Sequence, residues 1–332
     1  MSNSFLKPLF RNLKTTLRTA LRVLRQGTRS LLGLKTKYRY RNFSVRLPAD
    51  HLLPFYQSMY GTYDKFLPHL VRYLEPQATV IDVGANCGDT LAGMYDANDR
   101  LNYICVEPDE VFFRYLSENA ARMRNSNFRA SIRLYQALVG KCVGQATLQG
   151  HGGTKHAVKT AELTPGAKSI ASVTLDSLVL PVQSGRVQLL KSDVDGYDYD
   201  VLDSAVQLIA EHRPILFFEC HFNNLNQKSG FQATIEGLQR CGYREWTIFD
   251  NYGDVVLRTR EIEPLFQLFD YIDRQNAGLT ARTIHYVDVM TSTERHEALL
   301  TTVVSDYLRR GISTPIALTP AIATPPEKNT TT

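Results

Sequence analysis

The 332 residues are 43% hydrophobic and 21% charged, enough apolar sequence for a full core, and no apolar run approaches the roughly 18 residues of a spanning helix. The formal charge of +5 is uneven: residues 1–49 hold twelve Lys and Arg and no acid, so the remainder carries 26 bases against 33 acids, a net of −7. That argues against a nucleic-acid enzyme, which would gather positive charge around its own site. The five cysteines show no CxxC and no paired spacing, and no secretory signal opens the sequence, so a cytoplasmic protein is expected.

In chain order, residues 1–49 form a basic amphipathic arm. Leu6, Phe10, Leu13, Leu17, Leu21 and Leu24 make one helical stripe, with Lys7, Arg11, Lys14, Arg18, Arg22 and Arg25 about 100° round the helix. Such a helix over residues 5–35 fits peripheral contact with an anionic membrane surface at its inner face. It fits equally a helix docked on its own domain or a partner, and the composition is compatible with a mitochondrial presequence. Residues 50–312 form the domain, and the Pro- and Thr-rich residues 313–332 are expected to be a disordered tail.

A short-strand lead-in over Tyr38–Pro54 and a helix over Tyr63–Leu74 precede the first strand, Thr79–Val83. Two glycines four residues apart, Gly84 and Gly88, then give a tight turn into a helix from Asp89. Asn86 stands where a dinucleotide fingerprint needs glycine, and no Gly-Lys-Ser/Thr ending follows, so neither phosphate motif fits. Asp82 beside the loop would repel a pyrophosphate and attract an amine or sulfonium. A second strand ends in Glu107-Pro108, where an acid grips ribose hydroxyls in nucleotide-binding units. S-adenosylmethionine carries both groups, so Asp82, Gly84, Ala85, Asn86, Gly88, Glu107 and Pro108 are the candidate cofactor residues.

Further strands are predicted at Ile132–Val139, Val187–Ser192, Ile215–Glu219, Arg244–Phe249 and Ile284–Met290. Helices over Asp109–Met123, Tyr199–Glu211 and Gln232–Cys241 alternate with them, which means a mostly parallel sheet covered on both faces. Gly140–Ala171, with six glycines, and His221–Gly230 lack that rhythm and read as loops at the carboxyl edge of the sheet.

The chain resembles the FkbM family of S-adenosylmethionine-dependent methyltransferases. The resemblance rests on Asp82-Val83-Gly84-Ala85-Asn86 with Gly88, Glu107-Pro108, Asn119, Thr174-Leu175-Asp176, Lys191-Ser192-Asp193-Val194-Asp195-Gly196, and Arg213-Pro214 leading to Glu219. It covers roughly Tyr63–Met290. It implies an α/β fold with a Rossmann-like seven-stranded methyltransferase sheet, the last strand antiparallel and helices on both faces. It also implies S-adenosyl-L-methionine as cofactor and a hydroxyl acceptor on a sugar, glycan or secondary metabolite. The family's usual Asp-Val-Glu-Gly, with a second Glu beyond it, is here Asp193-Val194-Asp195-Gly196 with Asp198, each acid a methylene shorter.

Methyl transfer to a hydroxyl needs a group that accepts its proton. Lys191, Asp193 and Asp195 alternate at the end of a strand and would share one face while it stays extended. Glu219 and His221 lie at the mouth of the next strand, His221 as a base and Glu219 as its orienter. These five are the catalytic candidates. Asp198 reads as an N-cap for the helix at Tyr199, and Asp176 as a cap for the short helix at Ser177–Leu180. Asp193, Asp195, Glu219 and His221 could also hold a divalent metal, but sequence spacing does not commit them to one. Two other functions compete: a membrane-recruited binding module that keeps the fold without turnover, and an NAD-dependent oxidoreductase, which Asn86 disfavours.

Overall fold

The computed structural model describes residues 36–49, 51–124, 130–141, 144–149, 156–158, 169–181, 185–278 and 284–313. The two stripes of the arm, the membrane contact expected of residues 5–35, and the tail beyond Ser313 lie outside the described residues. Among those residues no helix is long and apolar enough to cross a membrane.

The β-branched run Thr79–Val83 (β3) is buried throughout, because it lies in the middle of a sheet covered on both faces. Asn102–Val106 (β4) and Ile132–Tyr135 (β5) extend the sheet on one side of it. Val187–Ser192 (β10) and Ile215–Cys220 (β11) extend it on the other, all five strands being parallel. Tyr243–Asp250 (β12) follows, and Val287–Thr293 (β14) slots antiparallel between β11 and β12. These seven are the expected methyltransferase strands. An eighth, Val255–Thr259 (β13), pairs antiparallel on the outer edge of β12, giving the order β13-β12-β14-β11-β10-β3-β4-β5. The chain runs outward from β3 in one direction and returns to continue from β10 in the other. The carboxyl ends of β3 and β10 are therefore the topological switch point, where open α/β sheets bind ligands.

Period-2 alternation divides the core in two. Ile81, Val83, Ile104, Val106, Leu190, Leu216 and Phe218 face one layer, with α5 (Leu175–Val179), α6 (Asp198–Asp203), α7 (Val206–His212), α8 (Leu225–Arg240) and α9 (Glu263–Gly278). Val80, Tyr103, Leu189, Phe217 and Met290 face the other, with α1 (Leu53–Met59), α2 (Phe66–Leu70), α3 (Asp89–Ala97), α4 (Glu110–Arg124) and α10 (Glu297–Ser313).

Thr36–Arg39 (β1) and Ser44–Leu47 (β2), which the sequence places in the arm, form an antiparallel hairpin packed on this second layer, Val45 and Leu47 being fully buried. Asn119 on α4 fastens it: its Oδ1 accepts from Arg46 N, and its Nδ2 donates to the carbonyls of Arg46 and Cys87, each at 2.8 Å. One buried amide thus ties the hairpin and the glycine loop to the same helix.

The stretch Gly140–Ala171 is not loop throughout. Gly144–Gln149 (β7), His156–Val158 (β8) and Ser169–Val173 (β9) join Leu138–Val139 (β6) in a second, four-stranded sheet. His221–Gly230 is likewise mostly helix. Asn224 caps α8 by accepting from Gln227 N at 3.0 Å, and Gln227 Oε1 accepts from Asn223 N at 2.8 Å, a reciprocal cap that starts the helix seven residues before the predicted Gln232. The single helix expected over Tyr199–Glu211 is two, α6 and α7, broken at Ser204–Ala205. Asp176 does not cap its own helix: Thr174 does, and the Asp176 carboxylate accepts from Gln207 N and Leu208 N at the start of α7.

Candidate functional site

Close packing shapes the turns that follow the carboxyl ends of β3 and β10. Gly84 has φ +75°, and a Cβ there would lie 1.9 Å from the Asp193 carbonyl, so the two strand ends can touch only at a glycine. Gly88, at φ +80°, faces Leu116 in the same way. The glycines expected to make room for a ligand are thus required first by the protein's own packing. Asn86 takes the left-handed conformation at φ +47°, which Asn tolerates better than most residues. Its N–H donates to Glu107 Oε2 at 2.8 Å, while Glu107 Oε1 accepts from Asp109 N at 2.8 Å. Burial raises the Glu107 carboxyl to about 7, with those two N–H groups pulling it back.

Gly84, Asn86, Glu107 and Pro108 line a cleft of about 820 Å³, counted to its open mouth. Phe112, Leu138 and Val139 form its apolar wall, and Asp193, Val194 and Asp195 its far side. Ala85 and Gly88 lie beneath this lining. So does Asp82, which corrects the expectation that it would meet an amine or sulfonium. Asp82 is fully buried, with Oδ1 2.9 Å from Lys191 Nζ. Lys191 also donates to the Gly84 carbonyl at 3.2 Å. Burial opposes its charge, but Asp82 and Asp193 outweigh that and raise the ammonium above its ordinary value. Asp82 and Lys191 are a structural ion pair joining β3 to β10 at the base of the site.

Lys191 and Asp193 stay together, Nζ to Oδ2 3.6 Å. Asp195 does not share their face. β10 ends at Ser192, and the chain turns with Asp195 at φ +54° and Gly196 at φ +91°, where a Cβ on Gly196 would lie 2.6 Å from the His221 carbonyl. Asp198, read as an N-cap, instead braces this turn: its Oδ1 accepts from Ser192 Oγ at 2.6 Å and Val194 N at 3.2 Å. The turn swings Asp195 towards Glu219 and His221. One ligand atom from each of the three lies within 4.8 Å of the other two. Burial, reinforced by Asp193 and Asp198, raises the Asp195 carboxyl to about 7. Burial and Asp193 also raise Glu219 well above the carboxylate range.

Asp193 lines a second pocket as well, of about 630 Å³, on the α2 side of the sheet. Here the alternating rows of neighbouring strands each end in an ionisable group: Lys191 after Leu189, Glu219 after Phe217, and Asp288 opposite Glu219 in register. Tyr63, Asp64 and Tyr286 complete the wall. Burial pushes Asp64 up to about 7, and burial and Asp193 push Asp288 well up. Sequence reasoning missed Asp64, Asp288 and Tyr286. An acid inside the apolar strand Val287-Asp288-Val289 was the one signal available for them.

A family model described as the methyltransferase FkbM domain matches residues 82–245. No curated protein matches the chain in sequence. Among solved structures, an FkbM methyltransferase from Methylobacillus flagellatus is 14% identical with a TM-score of 0.36, over 72% of this chain and 58% of that one, so the chain spans less than two thirds of its length. An rRNA methylase from Streptococcus thermophilus is 12% identical with a TM-score of 0.36, over 68% and 93%. The plantazolicin methyltransferase in complex with SAH is 7% identical with a TM-score of 0.34, over 73% and 89%. The segment that the methyltransferase FkbM domain model matches, residues 82–245, supplies the whole lining of the cleft.

Proposed function

We propose that the protein is an S-adenosylmethionine-dependent O-methyltransferase whose acceptor is a hydroxyl of a sugar, glycan or secondary metabolite. The observation that carries this reading is Asp193, half-exposed in the wall common to the Glu107 cleft and the acidic pocket. The residues present fit the cofactor. Glu107 offers acceptor oxygens for ribose hydroxyls, Asn86 and Pro108 flank it, and Phe112, Leu138 and Val139 give an apolar surface for the adenine. The acceptor belongs in the pocket beyond Asp193. When bound, the cofactor supplies an electrophilic methyl group on a sulfonium. Asp193 would accept the proton of the acceptor hydroxyl as that oxygen is methylated. Lys191, fixed by Asp82, holds the Asp193 carboxylate at the junction.

Because the Glu107 carboxyl sits at about 7 and ribose hydroxyls need the ionised form as acceptor, cofactor affinity should rise with pH. Calorimetric titration should show S-adenosylmethionine binding about tenfold weaker at pH 6 than at pH 8. Glu107→Gln should bind about 10- to 100-fold more weakly at pH 8 and lose the pH dependence, the loss expected for a hydrogen bond to a charged group. NAD binding with equal affinity, or a Glu107→Gln variant that binds as wild type, would overturn the assignment of this cleft.

The arm, outside the described residues, is proposed to bring a cytoplasmic enzyme to an anionic membrane surface. Deleting residues 1–35 should abolish co-sedimentation with phosphatidylserine vesicles and leave cofactor affinity unchanged. Salt should weaken binding of the full chain, since screening acts over a Debye length of about 8 Å at physiological ionic strength. Unchanged sedimentation after the deletion would exclude the arm as the anchor.

A further inference from the structure

The acids around the junction outnumber their counter-charges. Asp64, Asp193, Asp195, Asp198, Glu219 and Asp288 converge there, and Lys191, the ammonium among them, is already committed to Asp82. Three side chains in this group are also placed to share one ligand. The Asp195 and Glu219 carboxylates and the His221 ring each offer an atom within 4.8 Å of the others, the mutual spacing of atoms around a common ion. Glu219 is only 7% exposed, and its buried Oε1 has no hydrogen-bond partner among the described residues. His221 Nδ1 stands 3.6 Å from that oxygen, too far for a good hydrogen bond and suitable for two ligands of one ion.

The backbone makes a specific effort to put Asp195 there. It holds a non-glycine residue at φ +54°, a conformation that persists only where the surroundings over-determine it. The surroundings do so: Gly196 lies against the His221 carbonyl, and Asp198 ties the turn from the other side.

We propose that Asp195, Glu219 and His221 bind one divalent cation of the Mn²⁺ class, whose open coordination positions receive oxygens of the acceptor. Two carboxylates and one imidazole leave several positions free and suit a first-row ion better than Ca²⁺. Asp195 lines the cofactor cleft and Glu219 the acidic pocket, so the ion lies in the wall between them, beside Asp193. There it acts as a Lewis acid on the hydroxyl whose proton Asp193 takes, and it orients a second oxygen of the acceptor. A vicinal diol, as on a sugar, is the acceptor class that uses both. The role towards the acceptor rests on the methyltransferase reading above, while the binding of the ion does not.

The test uses the full chain, stripped with chelator and titrated with Mn²⁺, free ion being read by electron paramagnetic resonance. One ion per chain should bind at micromolar concentration. Asp195→Asn and His221→Gln should each weaken it at least tenfold, since losing a ligand should cost at least the 10- to 100-fold typical of losing a group that merely supports one, and His221→Gln, which does not line the cleft, should keep S-adenosylhomocysteine affinity within about threefold of wild type. Pulsed measurements on the wild-type Mn²⁺ complex should show ¹⁴N coupling from an imidazole, a readout independent of how the variants fold. No uptake of Mn²⁺, Zn²⁺ or Mg²⁺ at millimolar concentration, absence of the nitrogen coupling, or equal affinity in folded variants would overturn the metal site. Mn²⁺ binding without S-adenosylhomocysteine binding would leave the metal site standing and overturn the methyltransferase reading.

Discussion

Lys191→Met should lower the unfolding free energy by about 3–5 kcal/mol, the cost of leaving one partner of a buried ion pair alone. The Lys191–Asp82 contact is 2.9 Å, with side chains 4% and 0% exposed, so solvent cannot screen the loss. The variant has a characteristic pH dependence. Burial already raises the Asp82 carboxyl, with Lys191 pulling it back, so removing Lys191 raises it further in the folded state. The folded chain then binds a proton that the unfolded chain has released, and stability falls as pH rises above the unfolded value of about 3.9. Urea titrations at pH 5 and pH 8 should therefore show the larger loss at pH 8, by about 1.4 kcal/mol for each pH unit over which Asp82 must stay protonated. Asp82→Asn combined with Lys191→Met should recover much of the loss and remove the pH dependence. A loss below about 1 kcal/mol, equal at both pH values, would mean the pair is screened and the two strand ends are held by other contacts.

Asp193→Asn should slow methyl transfer by about 10²- to 10⁴-fold, the range for losing a positioned acid or base, with cofactor affinity within about threefold of wild type. The side chain keeps its shape and its place beside Lys191, so the loss reports the missing proton acceptor. The measurement is single-turnover transfer of a radiolabelled methyl group at saturating cofactor. The acceptor comes from a screen of glycans and hydroxylated metabolites. Transfer at the wild-type rate would move the base elsewhere, with Asp195 or His221 next to be tested. Joint loss of fold and cofactor binding would make Asp193 structural.

The sheet was legible because its strands are short β-branched runs between glycine and proline signals, and because Asp82, Glu107, Asp193 and Glu219 fall one after another at strand ends. The cleft was legible for the same reason. What escaped was backbone conformation. Nothing in Asp193-Val194-Asp195-Gly196 reveals that Asp195 takes a positive φ, yet that turn separates Asp195 from Lys191 and carries it to Glu219 and His221. Contacts distant in sequence escaped too. Asp82 reads as a ligand group until its register partner across the sheet proves to be Lys191. Asp64 and Asp288 reach the site from opposite ends of the domain. The second sheet was hidden by a Gly-rich, polar sequence whose alternation is weak. The early start of α8 could have been read, since Asn224 followed three residues later by Gln227 is a capping pattern.

The most direct measurement is a crystal structure of the full chain with S-adenosylhomocysteine. The ribose hydroxyls should lie on the Glu107 carboxylate, the adenine against Phe112 and Leu138, and the sulfur turned towards Asp193 at the entrance to the acidic pocket. Ligand bound elsewhere, or bound in the cleft with its sulfur away from Asp193, would contradict this placement.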